Sequence, residues 1–171
     1  MMIKKQKRNS SQKNFQDSIK YLKKEEWQAL KESIDNFRDK VIINLLYSSG
    51  IRVAELCLMK IEEVDFGNGF IRIPKENTKT KQSRTVRIGK EILSDLKALL
   101  RLEKRKKGYL FRSRQGKKLT TRRIEQIIHE YAEKAGIQKV YAYDKRNHPL
   151  YAVSPHTLRQ VKEAYDKVGF E

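Results

Sequence analysis

The sequence predicts an α+β fold, mainly helical, with a small antiparallel three-stranded sheet. Three observations carry this. Apolar residues recur at helical spacing on both sides of the chain's middle, the period switches to alternation over residues 64–88, and 171 residues suffice for one well-buried core.

In order along the chain, residues 1–20 are polar and basic without an apolar period, and the Asn9-Ser10-Ser11-Gln12 stretch reads as part of a disordered basic arm. From Leu22, Trp27, Leu30 and Ile34 recur at helical spacing, and Val41, Ile42, Leu45 and Leu46 form a second helical stripe that Ser48-Ser49-Gly50 ends. These two segments are expected to form an antiparallel pair. A short third helix over 52–59 puts Val53, Leu56 and Cys57 on one face and Arg52 and Glu55 on the other. Short strands are expected at 64–66, 70–73 and 85–88, divided by the Gly67-Asn68-Gly69 turn and by the polar connection 75–83. Ile92, Leu96, Leu99 and Leu100 mark a helix over 91–102, and Ile124, Ile127, Ile128, Tyr131 and Ala135 another after Thr120-Thr121. Tyr109-Leu110-Phe111 reads as a short buried stretch between them. Residues 137–153, with Tyr141, Tyr143, Asp144, Lys145, Arg146 and His148, read as irregular, an insertion with no evident mechanism. Ser154-Pro155 then sets a proline in the first turn of a last helix reaching about residue 168.

Composition narrows the function. Thirty-nine Lys and Arg against 21 Asp and Glu give a formal charge of +18 and a pI near 10.0, the footprint of a protein that displaces counterions from a phosphate backbone. No run approaches the roughly 18 apolar residues of a spanning helix, and no apolar stretch follows the basic N-terminus. A cytoplasmic location without a membrane partner is therefore expected. The single Cys57, between Leu56 and Leu58, reads as a small buried hydrophobe, and with three dispersed histidines no zinc site is expected. The charge is concentrated: residues 101–123 carry eleven basic side chains and one acidic, more than half of the excess. Arg112, Arg114, Lys117 and Lys118 flank Gly116 in a predicted loop, where side chains and backbone amides can meet phosphate oxygens. With Lys81, Arg84, Arg122 and Arg123 they are the candidate DNA contacts.

Four residues stand out as candidate catalytic groups. Arg52 follows the Gly50 break and opens a new helix, so a planar, permanently charged fork sits on a rigid element suited to a phosphate. Lys79 lies on the connection between two strands; phosphoryl transfer needs an acid for the leaving oxygen, and an ammonium among other cations can have the lowered pKa that role requires. His156 and Arg159, three apart after the proline turn, offer an imidazole and a second guanidinium from one helix face at a helix N-terminus that favours anions. Taken singly, each is also an ordinary surface or capping residue; the signal is their order.

That order resembles the catalytic domain of the tyrosine recombinases, the family of phage integrases and Xer-type recombinases. Tyr21-Leu22-Lys23-Lys24-Glu25-Glu26 is similar to the entry of that domain, Tyr47 to Leu56 to its first arginine motif, and Tyr109-Leu110-Phe111-Arg112-Ser113 with Gly116-Lys117 to the segment between its helices. The resemblance implies site-specific DNA recombination or integration by strand breakage and rejoining. In it Arg52 and Arg159 clamp the scissile phosphate, Lys79 protonates the leaving 5′ hydroxyl, and His156 assists proton transfer at the attacking group or bonds a non-bridging oxygen. No metal and no other cofactor is implied, double-stranded DNA is the implied partner, and other recombinase subunits are a further one. The resemblance fails at the nucleophile, a tyrosine well downstream of the His-x-x-Arg motif. Tyr165 is the only tyrosine beyond it and does not match that position. The expectation is thus a basic arm over 1–20 and a catalytic-like domain over 21–171 that is C-terminally incomplete: degenerate, truncated, or completed by a tyrosine from another chain. Two alternatives stay open: a non-catalytic DNA-binding regulator or remnant that occupies recombination sites, and an RNA-binding basic protein, which leaves the ordered set of four unexplained.

Overall fold

A computed structural model describes residues 22–159, and the expected basic arm, Tyr21 and Tyr165 lie outside them. Helix α1 (Lys24–Ser33) opens with the Glu26 carboxylate accepting the Lys23 N–H at 2.9 Å. Helix α2 (Phe37–Ser49) is capped by Asn36, whose side-chain oxygen accepts the Asp39 N–H at 3.1 Å. It stops at Gly50, where φ of +67° is a conformation that side-chain-bearing residues adopt only with strain. Helix α3 (Val53–Leu58) begins three residues later, with Arg52 at its N-cap. A 3-10 turn (Ile61–Glu63) leads into β1 (Val64–Asp65), β2 (Phe70–Ile73), a second 3-10 turn (Lys75–Asn77) and β3 (Arg84–Arg87). Then come α4 (Lys90–Leu102), α5 (Thr121–Lys134), β4 (Val140–Tyr143), β5 (Pro149–Tyr151) and the last helix, α6, described over 155–159.

The sheet runs β1-β2-β3, antiparallel throughout, with Val64 opposite Ile71, and Phe70 and Ile73 opposite Arg87 and Arg84. Its third strand starts one residue earlier than expected, which puts Arg84 inside the ladder. Ile71 and Ile73 point into the core while Arg72 faces out, the alternation of a half-buried strand. The core joins Ile42, Leu45 and Leu46 of α2, Leu96 and Leu99 of α4, Ile124, Ile127 and Ile128 of α5, and Leu158 of α6. Leu110 and Phe111 are buried as expected; the Leu110 N–H donates to the Met59 carbonyl at 2.7 Å and fastens the stretch to the end of α3. Cys57 is buried too, and burial pushes its thiol up to about 11, which removes it from nucleophilic chemistry.

Two expectations are corrected. The first two helices do not form a pair with each other as their main contact: α1 packs on α5 and α2 on α4. Tyr131 of α5 explains the arrangement, because its hydroxyl reaches Asp35 at 3.1 Å and Asp39 at 3.2 Å across the α1–α2 joint, and Lys134 bonds Asp35 at 2.8 Å. Residues 137–153 are not irregular: they hold an antiparallel hairpin, β4 with β5, Val140 opposite Tyr151 and Tyr143 opposite Pro149. Among the described residues no helix is long and apolar enough to cross a membrane.

Candidate active site

Arg52 stands where α2 ends and α3 begins, and one buried carboxylate fixes it. The Arg52 N–H donates to Glu55 at 2.9 Å and its guanidinium reaches the other carboxylate oxygen at 3.2 Å. From β3, Arg84 meets the same carboxylate with both forks, at 2.7 and 2.6 Å. The Glu55 side chain is 1% exposed, against 36% for Arg52 and 34% for Arg84. Burial pushes the Glu55 carboxyl up, but the Arg84 bonds, the Arg52 N–H and the nearby positive charge outweigh it and hold the group below the ordinary carboxylate value. Arg84, expected as a DNA contact, is thus turned inward to Glu55, and the sequence reading missed Glu55. Its spacing to Arg52 looked like an ordinary helix pair; burial and a partner 29 residues away made it more.

Lys79 is exposed on the turn after Thr78. Thr78 is buried, with its hydroxyl 3.1 Å from the Lys75 carbonyl and 3.0 Å from that of Gln82, so the root of the turn is pinned. The 3-10 turn before it packs on α3, the helix that Arg52 opens. Arg52 and the root of the Lys79 turn therefore belong to one packed unit. Lys81, two residues on, is exposed with φ of +56°.

His156 and Arg159 are carried on α6. Its start is a reciprocal capping box: the Ser154 N–H donates to the Thr157 hydroxyl at 2.8 Å, and the Thr157 N–H to the Ser154 hydroxyl at 3.3 Å. Pro155, Thr157 and Leu158 are buried, His156 is exposed and Arg159 half-buried. Helix α5 links the two halves. It packs on α3, and its His129 ring lies 4.1 Å from that of Tyr151, just ahead of Ser154.

The basic loop turns at Gly116, with the Ser113 N–H bonded to the Lys117 carbonyl at 2.7 Å and a bridge between Arg112 and Lys118. Arg114, Lys117, Lys118 and Arg122 are exposed and make no ion pair with another described residue. Arg123 is partly neutralised by Glu130 at 3.2 Å, and the Arg112 carbonyl accepts from Arg38. Lys118 acts electrostatically on Cys57, which sets this loop beside α3.

Comparison with known proteins is consistent in kind. The profile of the phage integrase family matches residues 20–163. Over 145 residues the chain is 36% identical to the tyrosine recombinase XerA of Pyrococcus furiosus, covering 82% of this chain and 45% of that protein. Over 131 residues it is 33% identical to the tyrosine recombinase XerC of Thermodesulfovibrio yellowstonii, covering 71% and 38%. The chain spans less than half the length of these curated relatives. A crystal structure of XerA recombinase matches with a TM-score of 0.69 at 29% identity, over 88% of this chain and 50% of that one. The lambda integrase catalytic core matches at 0.62 and 16% identity over 86% and 84%, a likeness of fold.

Proposed function

This chain belongs to the phage integrase family, and from that premise we propose that it contributes the phosphate-activating part of a site-specific DNA recombination or integration reaction. In this reaction a tyrosine oxygen attacks the scissile phosphorus while the bond from phosphorus to the 5′ oxygen breaks. Arg52 and Arg159 bind the non-bridging oxygens and offset the charge that builds on them, as preorganised donors do. Lys79 gives a proton to the departing 5′ oxygen. His156 handles the proton at the attacking group or bonds a non-bridging oxygen. Glu55 and Arg84 are positioning residues, acting through Arg52. Exposed Lys81, Arg114, Lys117, Lys118 and Arg122, with Arg112 and Arg123, attract the duplex around this centre.

The observation that carries the reading is the lock on Arg52. A surface arginine kept for solubility needs no buried carboxylate and no second guanidinium to fix its helix, whereas a phosphate clamp must be held in place before the substrate arrives.

The test is incubation with duplex DNA carrying the native genomic flanks, quenched in detergent and resolved on a denaturing gel. Strand scission is expected when the nucleophile is supplied from outside, by a tyrosine of another chain or by a small added nucleophile such as hydrogen peroxide. Arg52→Ala and Arg159→Ala should each abolish it. Scission that survives both substitutions, or a wild-type chain that prefers folded RNA to duplex DNA, overturns the proposal.

A further inference from the structure

The hairpin of β4 and β5 has no part in the chemistry above, yet it is fastened at both ends. At its root the Gln138 amide brackets Val153, donating to its carbonyl and accepting from its N–H, both at 2.9 Å. The Ala152 N–H bonds the Lys139 carbonyl at 2.8 Å, and Tyr151 lies against His129 of α5. At its tip Asp144 organises the turn: one carboxylate oxygen accepts the N–H groups of Arg146 and His148 at 2.8 and 2.9 Å, and the other is 3.2 Å from the His148 ring. Asn147 completes the turn with φ of +63°.

Between these fastenings the ribbon carries exposed apolar side chains. Tyr143 is 62% exposed, Val140 45% and Leu150 37%. Lys139, Lys145, Arg146 and His148 are exposed as well. Asp144 is the only carboxylate between Ile137 and Val153, and the turn engages it, so the surface offered outward is cationic and aromatic. An isolated two-stranded ribbon is marginal in water and leaves apolar area unburied. A two-stranded ribbon is also an element that fits the major groove of duplex DNA.

We propose that this hairpin is a second DNA-binding element, which lays Lys145 and Arg146 on backbone phosphates beside the cleavage site and Tyr143 against the groove. The inference rests on the DNA reading above. The charge favours this occupant, because the tip presents cations with no free acid to meet a basic partner. The root gives it a purpose: the chain runs from the Gln138–Val153 clamp straight into the Ser154 cap, so DNA held by the tip is held in register with His156 and Arg159.

The test compares wild type with the double variant Lys145→Ala/Arg146→Ala on duplex DNA, by binding across a salt series and by hydroxyl-radical footprinting. Both side chains are exposed, so the melting temperature should stay nearly unchanged. Loss of two phosphate contacts should lower the log–log salt slope by about two and weaken binding about tenfold near physiological salt, and the footprint should shorten on one side only. The swap Lys145→Arg/Arg146→Lys should keep the slope. A wild-type chain that fails to bind duplex sinks the DNA reading itself. A wild type that binds, with a double variant of identical slope and footprint, sinks the hairpin proposal alone. So does a Tyr143→Ser variant that abolishes self-association in sedimentation and leaves the footprint intact, since the occupant is then a second copy.

Discussion

Glu55 decides most at the scale of single residues. A carboxylate with 1% of its side chain exposed and two guanidiniums around it is costly to neutralise, because its partners are then left desolvated without a counter-charge. Since Arg52 and Arg84 each keep about a third of their side chains in solvent, the cost should fall below that of a fully buried pair. We expect Glu55→Gln to destabilise the fold by about 2 kcal/mol, read as a drop of several degrees in melting temperature. It should also weaken scission with added nucleophile more than it weakens DNA binding. Equal losses in both would make Glu55 a structural residue only. The pH dependence follows from the depressed carboxyl: the group binds its proton more weakly when folded, so its stabilisation is complete above the unfolded value of 4.5 and lost as pH falls through the lower folded value. Wild type should lose stability in that acid range by more than Glu55→Gln does, as acid melting curves of the two would reveal.

Elements show why some of the fold was legible in sequence and some was not. The helices around Leu45, Leu99 and Ile127 were, because each buries one stripe and the period of that stripe is local information. Arg52 and the pair His156 and Arg159 were visible for a related reason, standing just past the glycine that ends α2 and the proline in the first turn of α6. The packing of α1 on α5 was not, since it depends on Tyr131 meeting Asp35 and Asp39 more than 90 positions away. The hairpin was missed because its turn has no glycine, Pro149 opens its second strand, and both strands leave apolar groups in solvent, so no alternation of apolar and polar residues marks it. The capping box of α6 was half legible: Ser154-Pro155 announced the helix start, while the reciprocal bond from Thr157 needed coordinates. Ser154→Ala removes one acceptor of that box and should cost about 1 kcal/mol. If α6 presents His156 and Arg159 to the phosphate, the variant should also lower the rate of scission at saturating DNA with little change in affinity. An unchanged rate would detach α6 from the chemistry.

For the whole molecule, charge and fold do different work. On the proposed reading, the net charge of +18 supplies attraction to any polyanion, while the Arg52–Glu55–Arg84 lock, the pinned Lys79 turn and the capped α6 hold the groups that would act at one phosphate. These contributions should separate experimentally, because long-range attraction is screened by salt while a buried ion pair is screened far less. Arg114, Lys117 and Lys118 are exposed, lie on the basic loop and pair with no described carboxylate, which on the proposed reading assigns them to the attraction. Replacing all three with alanine should leave the melting temperature nearly unchanged and lower the salt slope of duplex binding by about three, uniformly across DNA sequences. At DNA concentrations high enough to restore occupancy, scission should return to the wild-type rate. Glu55→Gln should behave in the opposite way, with a slope close to wild type and a rate that no DNA concentration rescues. If instead the loop variant stays slow when saturated, the basic loop acts on the reacting phosphate itself, and the catalytic set extends from Arg52 across the end of α3 to Lys118.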